Sequence, residues 1–371
     1  MSGPPADLRR DTPLARGLKD QIFRTGPIDV TEYMSRCLWD DQHGYYATKA
    51  VFGREGDFIT AAEISQTFGE IIGLWAAVVW QQVLDGPARV TFAEYGPGRG
   101  TMMYDALRAA RVVPGFAAAA NVHLVEMSEA LTATQRATLG RCGAEVTWGR
   151  NLVGFPLPAI IVANEFLDAW PVAQSIKTAN GWRQRGVGLD VNGELAFVAL
   201  DAAPARSDLD HMFPDAPLGA IVESQRPERL ADAFKALAGK GPVAAIVIDY
   251  GYAAVSDGDT LQAVRNHAYE SPLASPGEAD LSAHVNFFEL ATALHGAGLA
   301  IDGPVTQAEF LGALGIVERA ARLMTANPAR AGEIETGVAR LIAPNGMGTR
   351  FKVIGVRSPE LPPLPGFENR D

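Results

Sequence analysis

The sequence predicts an α/β fold built on a mostly parallel sheet, and two observations support this prediction. Between residues 88 and 170, short apolar runs alternate with stretches of helical pattern, which is typical of successive βαβ units. A longer apolar run at 242–252 indicates that the parallel order resumes later in the chain. The strands expected in the first region are 90–94, 122–126, 145–148 and 159–163.

The first of these strands runs into a turn with the pattern Glu-x-Gly-x-Gly-x-Gly, formed by Glu94, Gly96, Gly98 and Gly100. Glycine adopts positive φ freely and lets the backbone approach a ligand closely. The free N–H groups of the helix predicted to follow would face the same ligand. A dinucleotide fingerprint needs its third glycine where this chain has Thr101. The pattern instead resembles motif I of class I S-adenosylmethionine methyltransferases.

Other polar residues fall at the carboxyl ends of the next strands, where parallel sheets bind ligands. Glu126 lies 26 residues after Gly100, close to the spacing of a ribose carboxylate in nucleotide-binding units. We expect Glu126 to accept hydrogen bonds from the ribose hydroxyls, with a solvated helix cap as the alternative. Trp148 ends the third strand and is a candidate to flank adenine, with a place in the core as the alternative.

Composition excludes several classes of protein. The chain has 371 residues, a net charge of −11 and 47% hydrophobic residues, as in an ordinary globular protein without a basic face for nucleic acid. Two cysteines and six histidines without ligand spacing predict no metal site. No apolar run reaches membrane-spanning length, and the N-terminus lacks a secretory core. We expect a cytoplasmic protein if the source is bacterial.

The predicted organisation is a central domain with additions on both sides and two insertions. Asn180-Gly181 and Asn192-Gly193 separate apolar runs and predict two-residue hairpin turns in the first insertion. The second insertion is expected to be a mostly irregular, ordered lid, and the proline-containing tail to be extended or mobile. The predicted segments are an N-terminal helical segment (1–87), a methyltransferase domain (88–357), insertions at about 171–241 and 253–287, and a tail (358–371).

Taken together, the motifs of this chain resemble the MidA-like family of protein arginine methyltransferases, which is linked to assembly of respiratory complex I. The resemblance covers about residues 27–357. It implies a class I methyltransferase fold, Rossmann-like, with a seven-stranded sheet and S-adenosylmethionine as cofactor. It also implies an arginine of a partner protein as the methyl acceptor, and the mitochondrial matrix as the compartment if the source is eukaryotic. The matching motifs are Gly56-Asp57-Phe58-Ile59-Thr60, Glu63, Gln66, the glycine turn, Asn164-Glu165-Phe166, Asp168, Ile248-Asp249-Tyr250-Gly251 and Asp280-Leu281-Ser282-Ala283-His284-Val285.

The resemblance and the spacing together lead to a set of expected cofactor contacts. The three glycines would approach the methionine part and the ribose, and Glu94 would orient the turn or the cofactor's amino group. Glu126 and Trp148 would hold the nucleoside. Glu63 and Gln66 would close the cofactor site from the N-terminal side.

An arginine acceptor is best held by carboxylates, because a guanidinium pairs with them through two hydrogen bonds. We expect Glu165 to clamp the guanidinium and Asn164 to be a polar anchor beside it. Asp168 is a further candidate, with a helix cap or backbone contact as the alternative. His284, in the predicted lid, is a candidate base or acceptor contact, with a structural role as the alternative.

Three other functions remain open from the sequence. A nucleotide-dependent oxidoreductase is disfavoured by the glycine spacing. A cofactor-binding assembly factor with little catalysis would fit the two insertions as a binding surface. A small-molecule methyltransferase would fit the glycine turn, although the insertions favour a larger acceptor.

Overall fold

A computed structural model describes residues 9–48, 60–152, 154–204 and 207–368, and contacts group the chain into two compact units. The insertion unit comprises Met1–Phe58, Asp168–Arg226 and Ala254–Asn286. The sheet unit comprises Ile59–Leu167, Pro227–Ala253 and Phe287–Asp371. Residues 59–87 thus group with the sheet, whereas the sequence-based division placed them with the N-terminal helical segment.

The strands are short, and most lie where apolar runs occur in the sequence. In chain order they are β1 (Ile28–Asp29), β2 (Val90–Tyr95), β3 (Ala120–Val125), β4 (Val146–Gly149), β5 (Ala159–Asn164), β6 (Ala173–Thr178), β7 (Gly181–Leu189), β8 (Leu195–Pro204), β9 (Ile221–Ser224), β10 (Val243–Tyr252), β11 (Gln262–Arg265), β12 (Ala268–Glu270), β13 (Asp280–Ser282), β14 (Val285–Asn286), β15 (Ala300–Thr306) and β16 (Phe351–Arg357).

The helices include one π-helical segment at Val79–Val83 and one 3₁₀ turn at Pro328–Arg330. The α-helices are α1 (Pro13–Thr25), α2 (Val30–Trp39), α3 (Tyr45–Thr48), α4 (Ala61–Ile64), α5 (Gln66–Val78), α6 (Thr101–Ala110), α7 (Pro114–Ala119), α8 (Glu129–Leu139), α9 (Leu209–Met212), α10 (Glu228–Ala238), α11 (Phe287–Gly296), α12 (Gln307–Ala313), α13 (Ile316–Ala326) and α14 (Ala331–Ile342). Within the described residues, none of these helices is both long and apolar enough to cross a bilayer.

Seven strands of the sheet unit form one sheet in the order β15-β16-β10-β5-β2-β3-β4. The pairs from β10 to β4 are all parallel, and β16 runs antiparallel to both of its neighbours. β5 is buried along its whole length, because helices cover both faces of a parallel sheet. The predicted α/β class and seven-stranded sheet are therefore confirmed, and the carboxyl ends of β2, β3, β4 and β5 lie side by side.

The backbones of helices α5 and α6 are in direct contact, because α5 carries two glycines four residues apart. A Cβ built on Gly73 would lie 2.2 Å from the carbonyl oxygen of Ala106, and one on Gly69 would lie 2.8 Å from Asp105 Cβ. Two ion pairs lie beside this contact. The buried Glu70 accepts from Arg108 of α6 and from Arg319 of α13, each at 2.7 Å.

Replacing Gly73 with alanine should destabilise the protein, because the new methyl group has no space between the two helices. Overpacking of this kind costs about 1–3 kcal/mol or more of unfolding free energy. Urea denaturation followed by circular dichroism measures the loss. Gly312→Ala in α12 is the matched control, since nothing lies within 4 Å of its Cβ position. Helix propensity alone makes that control neutral or up to ~1 kcal/mol more stable. Equal stabilities for the two variants would contradict the packing account.

The insertion unit is built on antiparallel strands. β6 pairs with β7 and β7 with β8, and the Asn180-Gly181 and Asn192-Gly193 segments join them. Both predicted hairpins are present, but their turns differ from the prediction. Thr178 pairs with Gly181, so residues 179–180 form the first turn, and five residues, 190–194, join β7 to β8. Asp29 caps α2, and its side chain accepts from the amide of Glu32 at 2.7 Å.

Two segments that were expected to be irregular contain structure that the sequence did not indicate. The second insertion contains a three-stranded antiparallel sheet, β12-β11-β13, whose strands of three or four residues are too short to show a pattern in the sequence. The described part of the tail, up to residue 368, packs against the sheet unit. Leu364 is buried, and its amide donates to Asp302 at 3.0 Å.

Candidate functional site

The glycine turn after β2 requires its glycines for conformation. Gly96, Gly98 and Gly100 have φ of 61°, 52° and 79°, a region that residues with a Cβ rarely adopt. Gly96 is also held in a narrow space, because a Cβ there would lie 2.7 Å from the Phe166 ring. Gly100 is the N-cap of α6, so the turn leads the chain directly into that helix. The conformation of the turn agrees with its predicted part in a binding site.

Glu94 lies one residue before the end of β2 and is 3% exposed. Its Oε2 atom has no hydrogen-bond partner within the described part of the chain. Burial, with a smaller contribution from the nearby Glu126 carboxylate, raises the pKa of Glu94 to about 8. Ionising a buried carboxyl group that has no partner costs free energy. A ligand that donates a hydrogen bond to Glu94 Oε2 would lower this cost.

The raised pKa predicts that protein without ligand loses stability as the pH rises from about 4.5 to about 8. The folded state then binds more protons than the unfolded state, so the free energy of unfolding falls with pH. At ~1.4 kcal/mol per pKa unit, the loss amounts to a few kcal/mol. Glu94→Gln should remove this slope, so that its stability relative to wild type rises with pH.

Urea denaturation of wild type and Glu94→Gln at pH 5 and pH 8.5 measures this difference. Glu129→Gln, which changes an exposed carboxylate at the start of α8, is the control and should follow the wild type. A stability difference between Glu94→Gln and wild type that is the same at both pH values would contradict the assignment.

Glu126 follows β3, and its carboxylate is held by three donors of the chain. Oε1 accepts from the amides of Met127 and Ser128, each at 2.8 Å, and Oε2 accepts from Gln135 at 2.9 Å. Burial raises the pKa of Glu126, and these hydrogen bonds oppose the effect. A carboxylate offers about four acceptor positions. This geometry therefore fixes the group and leaves room on Oε2 for one further donor, where the sequence interpretation expected two.

Trp148 lies in β4, and two residues of α8 hold its indole. Its Nε1 donates to Gln135 Oε1 at 2.9 Å, and the Arg136 guanidinium lies 4.2 Å from the ring centroid. Trp148 is half-buried and packs against the hydrophobic core of the sheet unit. Its predicted contact with adenine stays a prediction.

Gln135 connects these residues and was not predicted from the sequence. It is fully buried, and its Nε2 donates to Gly98 O at 2.7 Å as well as to Glu126. A signal was present in the sequence. Gln135 occupies a position between Leu131 and Leu139 on the inward face of α8, where an apolar residue is expected.

Asn164 and Glu165 lie where β5 ends, and the backbone there is constrained. Glu165 has φ of 50°, which is uncommon for a residue with a side chain. Its amide donates to Ile248 O at 2.9 Å. The Glu165 carboxylate accepts from the amides of Ala61 at 2.7 Å and of the Asn164 side chain at 3.3 Å. Asn164 Oδ1 is buried without a partner in the described residues.

Asp249 supports this turn from the neighbouring strand β10. It is fully buried, and its Oδ2 accepts from the amides of Phe166 at 3.1 Å and Leu167 at 2.9 Å. The sequence analysis included Asp249 in a motif without giving it a role. Because strained backbone persists only where its surroundings hold it, these contacts explain how Glu165 keeps its conformation.

Glu63 and Gln66 belong to the same unit, at the helices that precede the sheet. Glu63 lies in α4, 3.9 Å from Arg99 of the glycine turn, and burial raises its pKa. Gln66 is the first residue of α5 and is half-buried. Their predicted contacts with the cofactor stay predictions. Of the motif that precedes them, Gly56, Asp57, Phe58 and Ile59 lie outside the described residues.

Asp168 and His284 belong to the insertion unit. The carbonyl of Asp168 accepts from the amide of Ala283 at 3.0 Å, which places the two segments next to each other. The amide of His284 donates to Thr260 Oγ1 at 2.9 Å, and Thr260 in turn binds the buried Glu223. Their predicted catalytic roles stay predictions. Among the described residues, no cluster of three or more side chains is arranged to bind a metal ion.

The side chains at the strand ends of the sheet unit fit S-adenosylmethionine. The buried acceptors Glu94 Oε2 and Asn164 Oδ1 lack partners in the described chain, as expected of atoms that receive donors from a ligand. The glycine turn provides backbone without side chains. Glu126 provides an oriented carboxylate with a free acceptor position. These features match a ligand with a cationic amino acid part and a ribose.

Comparisons with known proteins identify the family of this chain. Residues 71–305 match the family described as "Putative S-adenosyl-L-methionine-dependent methyltransferase". The chain is 33% identical to "Protein arginine methyltransferase NDUFAF7, mitochondrial" from Mus musculus, over 94% of this chain and 85% of that protein. Its identity to the Homo sapiens protein of the same name is 34%, over 92% and 82% of the two chains.

A solved structure resembles the whole chain. It is a "likely methyl transferase" from Burkholderia thailandensis bound to S-adenosyl-homocysteine, 28% identical, with a TM-score of 0.80. The match covers 98% of this chain and 96% of that one. The family match covers more than half of the chain, and the curated relatives match nearly all of it. The chain therefore belongs to this family of S-adenosyl-L-methionine-dependent methyltransferases.

Proposed function

We propose that this protein methylates an arginine of a partner protein. The observation that carries the proposal is the identity of 33% over 94% of the chain to a relative named protein arginine methyltransferase. The constrained carboxylate of Glu165, at the end of β5, supports it because a guanidinium is best held by a fixed carboxylate.

The residues of the sheet unit would bind the cofactor and hold it in place. When bound, S-adenosylmethionine supplies an electrophilic methyl group on a sulfonium centre. Glu94 and Asn164 would accept from the amino acid part, and the glycine turn would allow its close approach. Glu126 would hold the ribose by the acceptor position that remains on Oε2. Binding in a fixed pose accelerates such a reaction mainly by orientation.

Glu165 would position the acceptor. Its carboxylate is oriented by the amides of Ala61 and Asn164, and we assign the guanidinium contact to this carboxylate. Accepting an N–H there would hold the acceptor in one orientation for methyl transfer. The transfer would leave S-adenosyl-homocysteine, release one N–H proton of the guanidinium to solvent and keep the positive charge of the acceptor, which the carboxylate would stabilise. Burial of the site would strengthen both effects.

We further propose that the partner is a subunit of a respiratory complex I assembly, as the family resemblance implies. The curated relatives are named mitochondrial, and this describes those proteins. The compartment of this protein stays a prediction: cytoplasmic in a bacterium and the mitochondrial matrix in a eukaryote. The net charge of −11 suits an arginine-bearing partner.

Transfer of radiolabelled methyl groups tests the proposal. The protein and labelled S-adenosylmethionine are added to a lysate of the source organism that lacks this protein, and labelled bands are hydrolysed to amino acids. Label in methylated arginine of one band is the expected result. Label in small molecules only would overturn the proposal in favour of a metabolite acceptor. No label, despite cofactor binding shown by calorimetry, would favour an assembly factor with little catalysis.

A further inference from the structure

Gln135 joins three separate segments of the sheet unit through one side-chain amide. Its Nε2 donates to Gly98 O at 2.7 Å and to Glu126 Oε2 at 2.9 Å, and its Oε1 accepts from Trp148 Nε1 at 2.9 Å. Both amide hydrogens and the amide oxygen are thus in use. The side chain is 0% exposed, so water does not compete for these bonds.

The three segments are those expected to bind the cofactor. Gly98 belongs to the turn after β2, Glu126 follows β3, and Trp148 lies in β4. Gln135 also packs beside the turn, since its Cγ lies 3.5 Å from the Cβ position of Gly100. A single residue of α8 therefore contacts each element that would surround the nucleoside.

Few side chains can make this set of contacts. The position needs two donors and one acceptor on a planar group. A glutamate would face the Gly98 carbonyl and the Glu126 carboxylate with negative charge. A methionine would fill the space and leave a buried carboxylate oxygen, a carbonyl and an indole N–H without partners, each of which costs free energy.

The contact with Glu126 affects how a ribose can bind. Two backbone amides hold Oε1, and Gln135 alone holds Oε2. Oε2 is the oxygen with a remaining acceptor position, so Gln135 sets the direction of that position. A carboxylate that is already oriented loses less conformational entropy on binding than a free one.

We propose that Gln135 is a positioning residue that aligns the glycine turn, Glu126 and Trp148 for the nucleoside part of the cofactor. This inference rests on the proposed cofactor contacts of those residues and extends them. Gln135 itself acts through its neighbours and is not assigned a contact with the reacting atoms. Arg136, the next residue, covers one face of the Trp148 ring and so helps to hold the indole in place.

Calorimetric titration with S-adenosyl-homocysteine tests the inference. Gln135→Met should raise the Kd about tenfold or more, because it removes a hydrogen bond to a charged group. Gln82→Met changes an exposed glutamine of the same unit and should leave the Kd unchanged. If Gln135→Met does not fold, Gln135→Glu keeps the size and the acceptor for Trp148 and should raise the Kd at least as much.

A double variant separates positioning from a purely structural role. Because Gln135 acts in part through Glu126, Gln135→Met combined with Glu126→Gln should raise the Kd by less than the product of the two single effects. Affinity losses that multiply in the double variant, or an unchanged Kd in folded Gln135→Met, would overturn the inference. Absence of binding to the wild-type protein would overturn the proposed cofactor contacts themselves, which is a distinct outcome.

Discussion

Glu126→Gln should weaken binding of S-adenosyl-homocysteine by about 10- to 100-fold, since a hydrogen bond to a charged group contributes about 1.5–3 kcal/mol. Glutamine keeps one oxygen for the amides of Met127 and Ser128, so the local backbone is preserved. Its amide nitrogen would face the Nε2 donor of Gln135 and has no acceptor position for a hydroxyl. Isothermal titration calorimetry measures the change.

The control for this experiment removes a similar charge nearby without touching the site. Glu129→Gln lies three residues further on, at the exposed start of α8, and should bind S-adenosyl-homocysteine as the wild type does. Equal affinities of Glu126→Gln and wild type would rule out the ribose contact. A loss of the same size in Glu129→Gln would show that general charge, not a specific contact, controls affinity.

Glu165→Gln should reduce methyl transfer by about 100-fold while the affinity for S-adenosyl-homocysteine stays within about twofold of wild type. Misplacement of a reacting group by about 1 Å is enough for a loss of this size. Glutamine can still accept from the amide of Ala61, so the turn at the end of β5 is retained. It loses the negative charge that would hold a guanidinium. Initial rates with labelled cofactor and calorimetry give the two quantities.

Glu228→Gln, at the exposed first turn of α10, is the matched control and should keep full activity. Methyl transfer by Glu165→Gln at the wild-type rate would contradict the guanidinium role. A parallel loss of cofactor affinity would instead indicate that Glu165 supports the cofactor site, through its contacts with Ala61 and Asn164.

The sequence allowed the sheet unit to be predicted well, because its signals are local and repeated. Each strand from β2 to β5 is followed by a polar or glycine residue. Strands of a parallel sheet are buried on both faces, so they form short, mostly apolar runs that can be identified in the sequence. The positions of Glu94 and Glu126 at strand ends could be predicted from where these apolar runs end. The glycines were identifiable because their positive φ values exclude most other residues.

The parts that were missed depend on contacts between distant segments. Gln135 is one polar residue in an otherwise ordinary helix, and only the folded chain brings Gly98 and Trp148 to its amide. The unusual φ of Glu165 likewise depends on Asp249, which lies more than 80 residues later in the chain. The strands around residue 265 are too short for a periodic pattern, so their pairing is a tertiary effect.

Backbone contact between α5 and α6, at Gly73 and Ala106, has a mechanical consequence for the site. α6 starts at the glycine turn, and α5 starts two residues after α4, which carries Glu63. Helices in backbone contact resist sliding and tilting past each other, because close-packed interiors resist deformation. The contact at Gly73 therefore ties the position of α6, and with it the start of the helix at the glycine turn, to the position of α5.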